Sequence, residues 1–215
     1  MQKQTLFTGG TARTLGSLAV TALMAVAAPA QAVIIYSGPV SIGIPDDIDG
    51  IYGNVVTGAF GVSPPAGWDI NPYSAVPGQF NLWGATTTTW FTPSGVIAGP
   101  YPLASGTMIA GAVTTFFRPG GSLDVGTQVT LNATNLFGFR FANEAAGGAN
   151  NFGWVAITFG ASAAERTITA YAYQNDGSGI MAGVVPEPGT YAMMALGLAA
   201  MGGFVARRRK QGQAA

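Results

Sequence analysis

The segment Trp68-Asp69-Ile70-Asn71 places an aromatic side chain beside a carboxylate and an amide. An aromatic ring can stack on a sugar while neighbouring polar groups bond its hydroxyls, so we hypothesise a sugar-binding role for Trp68, Asp69 and Asn71. A structural alternative stays open at this point. Trp68 could plug one end of a β-sandwich while Asp69 and Asn71 hold turns through bonds from side chain to backbone.

A second group of acidic side chains lies in Asp46-Asp47-Ile48-Asp49-Gly50. The segment begins like a calcium loop, but counting from Asp47 puts Ile51 at position 5 and Gly58 at position 12, where an EF-hand needs oxygen ligands. We therefore predict a solvated turn between two strands and assign no metal ligand. A calcium site of another type is the alternative.

The chain contains no histidine and no cysteine. Disulfides, Cys/His metal centres and Ser-His-Asp or Cys-His catalysis are therefore excluded. Glycosidase chemistry needs only two carboxylates on a cleft, and the candidate partners for Asp69 are Asp124, Glu144 and Glu165. No sequence signal brings these acids together, so we expect no catalytic residue, no cofactor and no enzymatic activity.

The N-terminus has the layout of a signal peptide. Lys3 and Arg13 precede an uncharged, apolar run from Leu15 to Ala28. Ala30 and Ala32 then fit the small-x-small pattern that signal peptidase cleaves. We expect residues 1–32 to be a signal helix that is removed on export.

The C-terminus has three parts in a fixed order. Pro186-Glu187-Pro188 restricts the backbone and disfavours a helix before it. The uncharged segment Gly189–Ala206 would span roughly 27 Å as a helix, just short of a ~30 Å hydrocarbon core. The segment is followed by four cations that favour the cytoplasmic side, namely Arg207, Arg208, Arg209 and Lys210. Residues 186–215 are thus predicted to carry a transmembrane helix, with the rest of the chain outside.

This tail closely resembles the PEP-CTERM sorting signal of Gram-negative bacteria. The resemblance is carried by Val185-Pro186-Glu187-Pro188, the Gly/Ala/Met/Leu-rich span and the Arg207–Lys210 cluster. It implies recognition by an exosortase, an integral-membrane cysteine protease, and cleavage near the motif. The inner membrane would then hold the tail only transiently.

The remaining body, Val33–Val185, is long enough for one domain with a core. It holds three arginines and, since only Glu187 of the nine acids lies outside it, eight acids, which gives a net charge of −5. Because nucleic-acid binding needs a basic surface, we expect no nucleic-acid partner. The same acidity argues against docking on anionic lipid.

The body is predicted to be all-β. Short runs rich in Thr, Val, Ile, Phe and Tyr alternate with Gly, Pro, Asn and Asp. The clearest alternation is in Leu136–Ala142, Gly153–Phe159 and Thr167–Gln174, each with one bulky face, as expected for a sheet covered on one side. We expect an antiparallel two-sheet sandwich or jelly-roll-like fold, with a closed barrel as the alternative.

Seven other segments are predicted as strands, and Ser63–Gln79 and Thr92–Ala104 are predicted as long proline-rich loops. Trp83, Trp90 and Trp154 fall in strands and are predicted to be core. The other predicted strands are Val33–Ser37, Val40–Ile44, Ile51–Thr57, Gln79–Trp83, Thr86–Phe91, Thr107–Phe117 and Thr127–Leu131.

The body also resembles a common type of PEP-CTERM ectodomain. The matching segments include Gly67-Trp68-Asp69-Ile70-Asn71-Pro72-Tyr73, Phe137-Gly138-Phe139-Arg140-Phe141 and Phe152-Gly153-Trp154-Val155. The resemblance implies an exported cell-surface or matrix protein, associated with the envelope and exopolysaccharide and without assigned catalysis. A carbohydrate- or calcium-binding surface module is the alternative function, and a glycosidase-type hydrolase is a third.

Overall fold

The computed structural model describes residues 33–76, 78–92, 99–111, 115–117 and 121–185. Fourteen strands and one short 3-10 turn, Glu144–Ala146, make up its regular structure. The strands are β1 (Ile34–Tyr36), β2 (Ile42–Gly43), β3 (Tyr52–Asn54), β4 (Ala59–Gly61), β5 (Ile70–Tyr73), β6 (Phe80–Gly84), β7 (Thr89–Thr92), β8 (Met108–Ile109), β9 (Thr115–Phe117), β10 (Gly121–Leu123), β11 (Ala133–Asn143), β12 (Ala149–Phe159), β13 (Arg166–Gln174) and β14 (Ile180–Met181).

The strands form two main sheets and one small one, and every named pair is antiparallel. Sheet A has the order β1-β13-β12-β11-β7-β9, with β2 also paired to β13. Sheet B has the order β10-β6-β5-β3-β4, and β8 pairs with β14 in a two-stranded ribbon. The prediction of an all-β antiparallel fold with two sheets is thereby confirmed.

The main core lies between sheets A and B. Phe137, Phe139 and Phe141 alternate along β11 and are all at most 1% exposed, as the period of two predicted. Phe80 of sheet B lies edge-on to Phe159 of sheet A, with ring centroids 5.0 Å apart. These interlocking aromatic rings join the two sheets into a sandwich.

The outer face of sheet A is also buried, contrary to the prediction that the sheet is covered on one side. Trp154 and Ala172 point away from the main core and form a second cluster with Ile109 of β8 and Ile180 of β14. The ribbon therefore acts as a lid on sheet A. Its two strands lie about seventy residues apart in the chain, and neither has a strong pattern of its own.

A register shift changes which side chains of β13 point toward the main core. The pairing of β12 with β13 shifts between Ala156 and Ile157, which leaves Thr169 as an extra residue in β13. Ile168 therefore lies in the main core with Tyr171 and Tyr173, whereas Ala172 lies in the second cluster. The unbroken alternation predicted for Thr167–Gln174 was therefore wrong, because the extra residue interrupts the period of two.

The predicted loop Ser63–Gln79 contains β5, a central strand of sheet B. Pro72 lacks an N–H, but its carbonyl accepts a hydrogen bond from the Ile51 N–H at 3.1 Å. Pairing between β3 and β5 is limited to Gly53 and Ile70, so this irregular seam tolerates the proline. Within the second predicted loop, residues 93–98 lie outside the described ranges.

One further strand prediction was wrong, and some strands were missed. Thr127–Leu131 forms turns, and the strand in this region is instead β10. The strands β4 and β14 were not predicted at all. Trp90 and Trp154 are core residues as expected, at 0% and 2% exposed, but Trp83 is 43% exposed.

Arg166 connects two loops from inside the sandwich. Its Nη1 donates to the Gln79 carbonyl at 2.8 Å, and its Nη2 donates to the Pro45 carbonyl at 2.6 Å and to Asp46 Oδ1 at 3.0 Å. Its guanidinium carbon lies 5.7 Å from the centre of the Phe80 ring. Burial lowers the pKa of Arg166, and the charge of Asp46 opposes that shift.

Candidate functional site

The outer face of sheet B carries an aromatic groove. In the register of β5 and β6, Asn71 lies opposite Trp83, while Ile70 and Leu82 point into the core. The residues that line the groove, here called the Trp83 groove, enclose about 240 Å³. They are Ile48, Tyr52, Asn71, Tyr73 and Trp83.

One wall of the Trp83 groove is the loop before β3, and two hydrogen bonds fix the conformation of this loop. Asn71 Nδ2 donates to the Asp49 carbonyl at 2.8 Å, and the Gly50 N–H donates to Asp47 Oδ1 at 2.7 Å. Gly50 has a φ of 58°, and a Cβ there would overlap Tyr73 and the Pro72 carbonyl. Only glycine lets this loop pack so closely on β5, which places Ile48 beside the aromatic rings.

A separate cavity, here called the Asp69 pocket, lies at the end of the sandwich. It has a volume of about 170 Å³ and is lined by Asn54, Val56, Thr57, Ala66, Gly67, Asp69, Ala142, Glu144 and Ala145. Asp69 is 5% exposed, and its Oδ2 accepts a hydrogen bond from the Val55 N–H at 2.9 Å. The pocket therefore contains two carboxylates, of which Asp69 is held by the backbone.

The environment of Asp69 favours its neutral form. Burial raises the pKa of Asp69 to about 7, the Val55 hydrogen bond opposes the shift, and the charge of Glu144 adds to it. A carboxyl that titrates near neutral pH can exchange protons, and paired acids are the requirement of a two-carboxylate hydrolase. The pairing of Asp69 with Glu144 in one pocket was one of the sequence-based candidates.

The three residues of the sugar-binding hypothesis do not meet at one site. Trp68 lies edge-on to Tyr52 with ring centroids 5.1 Å apart. Asn71 lines the Trp83 groove, whereas Asp69 lines the Asp69 pocket. Asp69 and Asn71 each form a hydrogen bond between their side chain and the backbone, as the structural alternative to sugar binding predicts. A role in sugar binding for these residues stays a prediction.

The acidic loop does not gather its carboxylates. Asp46 faces Arg166, Asp47 bonds the Gly50 N–H, and Asp49 is exposed. Within the ranges that the structure describes, no three Asp or Glu side chains are grouped so that they could hold a metal ion.

Sequence reasoning missed the residues that make the Trp83 groove. Tyr52, Tyr73 and Trp83 come from three strands, and β5 was hidden by its proline. Once β5 is known, the alternation of Ile70 with Asn71 and of Leu82 with Trp83 would place Asn71 and Trp83 outward. The useful signal was thus the pairing of two short segments and not a local motif.

The sandwich ends next to the sorting segment. β14 is followed by a turn in which the Val184 N–H donates to the Met181 carbonyl at 3.2 Å. Residues 184–210 match the model of the family described as PEP-CTERM protein-sorting motif. The chain carries a PEP-CTERM sorting motif. This motif implies export of the protein and membrane-associated, exosortase-dependent sorting.

Two further comparisons were made with this PEP-CTERM protein. No curated protein and no solved structure matched the chain. Across the described ranges, no helix is both long and apolar enough to cross a membrane. The predicted cleavage residues Ala30 and Ala32 lie outside those ranges, as do the sorting residues Pro186, Glu187 and Pro188 and the cations Arg207, Arg208, Arg209 and Lys210.

Proposed function

We propose that this PEP-CTERM protein is a structural protein of the cell surface or extracellular matrix, associated with exopolysaccharide. The observation that carries the proposal is the direct junction of a β-sandwich with the sorting motif. The last turn of the sandwich includes Val184, where the family match begins. A folded domain with so short a connection is suited to be carried to the surface as a unit.

Export would proceed in two steps. Signal peptidase would cut after Ala32, leaving Val33 as the first residue. The Val33 nitrogen donates to Asn175 Oδ1 at 3.0 Å, so the new terminus would already be held against the end of β13. The tail would then lie in the inner membrane until an exosortase removes it, and the sandwich would pass to the surface or the extracellular space.

We infer that the sandwich is not an enzyme and needs no cofactor. The Asp69 pocket supports a hydrolase only through its two carboxylates. At about 170 Å³ it is smaller than the Trp83 groove. One oxygen of Asp69 is also occupied by the Val55 N–H. A structural role for Asp69 explains both observations without a substrate.

The sorting proposal is tested by changing Glu187 to alanine in a host that has an exosortase. The variant should still insert, because Glu187 precedes the apolar segment, but a C-terminal tag should be retained since the motif has lost its one charged side chain. Immunoblots of the wild type should show loss of the tag. Gln211→Ala, beyond the cations, is the control and should behave like the wild type. Tag retention in every chain would mean a plain membrane anchor.

A further inference from the structure

The Trp83 groove leaves large apolar side chains in contact with water. Ile48 is 69% exposed and Trp83 is 43% exposed, although each lies beside other groove residues that could have covered it. On the opposite sheet, the equivalent outward face is sealed by the β8–β14 ribbon. The outer face of sheet A is covered, whereas the aromatic side chains on sheet B remain exposed. Such an exposed aromatic surface indicates a binding surface.

The side chains of the groove combine ring faces with polar atoms. Trp83, Tyr52 and Tyr73 supply aromatic surface, and Asn71 lies between them at 4% exposed. Pyranose rings have one apolar face and hydroxyls at the edges, so they match a site of this mixed character. A shallow groove of about 240 Å³ suits one or two rings of a longer chain.

The charge beside the groove indicates which kind of glycan could bind there. Asp47 and Asp49 are both exposed in the loop that forms one wall. No lysine or arginine lines the groove among the described residues, and Arg166 is turned inward behind Asp46. A uronate polymer would be repelled by this wall, whereas an ammonium group would be attracted both to the carboxylates and to the aromatic faces.

We propose that the Trp83 groove binds a glycan built from amino sugars, with a pyranose ring stacked on Trp83 and an ammonium group beside Asp49. The wall is fixed before binding by the Asn71 bond to the Asp49 carbonyl and by the close packing of Gly50. Binding therefore requires little ordering of the protein, which favours affinity from a small contact area.

The proposal deepens the matrix function and rests on it for its biological setting. Its test does not depend on sorting, since it uses purified protein. If glycan binding fails while the Glu187→Ala tag assay succeeds, only the glycan proposal is lost. If the tag assay fails and glycan binding succeeds, only the sorting proposal is lost.

The experiment measures binding of three soluble hexasaccharides to the full chain purified in detergent, by isothermal titration calorimetry. The probes are a hexamer of glucosamine, a hexamer of N-acetylglucosamine and a hexamer of guluronate. We expect the glucosamine hexamer to bind tightest, the acetylated one to bind more weakly and the guluronate not to bind. Equal binding of guluronate, or no binding of any hexamer, would overturn the proposal.

Variants separate ring stacking from general charge attraction. Trp83→Ala should weaken the glucosamine hexamer at least about tenfold, and Trp83→Tyr should restore most of the affinity because it keeps a ring. Asp49→Asn should reduce the preference for the free amine over the acetylated sugar. Asp124→Asn removes another exposed charge, one that does not line the groove, and should change neither property. An equal loss in Asp124→Asn would contradict a defined site.

Another occupant of the groove would give a different result. If a second copy of the chain covers it, sedimentation without glycan should show a dimer that Trp83→Ala dissociates. That outcome would also overturn the proposal. Thermal unfolding of every variant identifies any that fails to fold, and Trp83→Tyr keeps the test decisive in that case.

Discussion

The two sheets of the sandwich differ in what lies on their outer faces. On sheet A, Trp154 points outward from β12 and is 2% exposed because the β8–β14 ribbon covers it. On sheet B, Trp83 points outward from β6 and is 43% exposed. Both tryptophans lie in strands of alternating pattern. The difference shows that a covering element, and not the strand itself, decides whether an outward tryptophan stabilises the fold or is free to bind.

The largest expected effect is on the covered face. Trp154→Ala should remove a buried ring that also lies 6.2 Å from Tyr36, and it should lower the free energy of unfolding by about 3–5 kcal/mol. Trp83→Ala on the open face should change it by less than about 0.5 kcal/mol. Urea unfolding followed by circular dichroism measures both. Equal losses of unfolding free energy would mean that the outer faces of the two sheets do not differ in their contribution to stability.

Asp69, directly before β5, provides an intermediate effect. Its folded pKa of about 7 is above its ordinary value of 3.8, so the folded state holds the proton between these values. The stabilisation from Asp69 is therefore present at low pH and is lost as the pH rises through 7. Asp69→Asn keeps an acceptor for the Val55 N–H, and at pH 8 it should be more stable than the wild type by about 2 kcal/mol.

Measurements at two pH values, with Asp176 as the control residue, test the raised pKa of Asp69. Melting temperatures at pH 5 and pH 8 should show that the advantage of Asp69→Asn grows with pH. The exposed Asp176 has its pKa lowered by hydrogen bonds from the Ser178 hydroxyl and N–H, so its contribution is lost only as the pH falls. Asp176→Asn should show no growing advantage between pH 5 and 8. A constant advantage for Asp69→Asn would contradict the raised pKa.

The smallest effect tests how tightly the ribbon seals sheet A. A Cβ on Gly138 would lie 2.9 Å from Ile109 Cδ1 and 3.0 Å from Leu103 Cδ1, so Gly138→Ala should destabilise the fold by about 1 kcal/mol. A Cβ on Gly43 would have no neighbouring atom within 4 Å, so Gly43→Ala should be neutral or slightly stabilising. The same unfolding assay compares the two. Neutral behaviour of both would mean that the ribbon packs loosely.

Strand alternation predicted much of sheet A and little of sheet B. Phe137, Phe139 and Phe141 reveal their face because each is large and the period is unbroken. The face of Ala172 could not be predicted, because the extra residue Thr169 is invisible without the register of β12. β5 was missed because Pro72 usually marks a break in a strand, and only the irregular pairing with β3 makes it acceptable.

The candidate sites show the same division. Trp68, Asp69 and Asn71 are neighbours in the chain, and local chemistry alone suggested one site. Strand alternation would place Asp69 and Asn71 on the same face, but β5 begins only at Ile70, so Asp69 lines the Asp69 pocket while Asn71 lines the Trp83 groove. Arg166 gave no sequence signal either, because the two loops that it contacts, at Gln79 and Pro45, are far from it in the chain.

The sequence by itself determined the targeting of this protein, because a sorting motif is a short linear pattern whose chemistry lies in consecutive residues. It also determined the all-β class, since alternation is local. Only the tertiary structure decided which outward aromatic residues are covered and which are open. That choice depends on long-range pairing, such as β8 with β14, whose strength comes from the surface it buries and not from the residues of either strand alone.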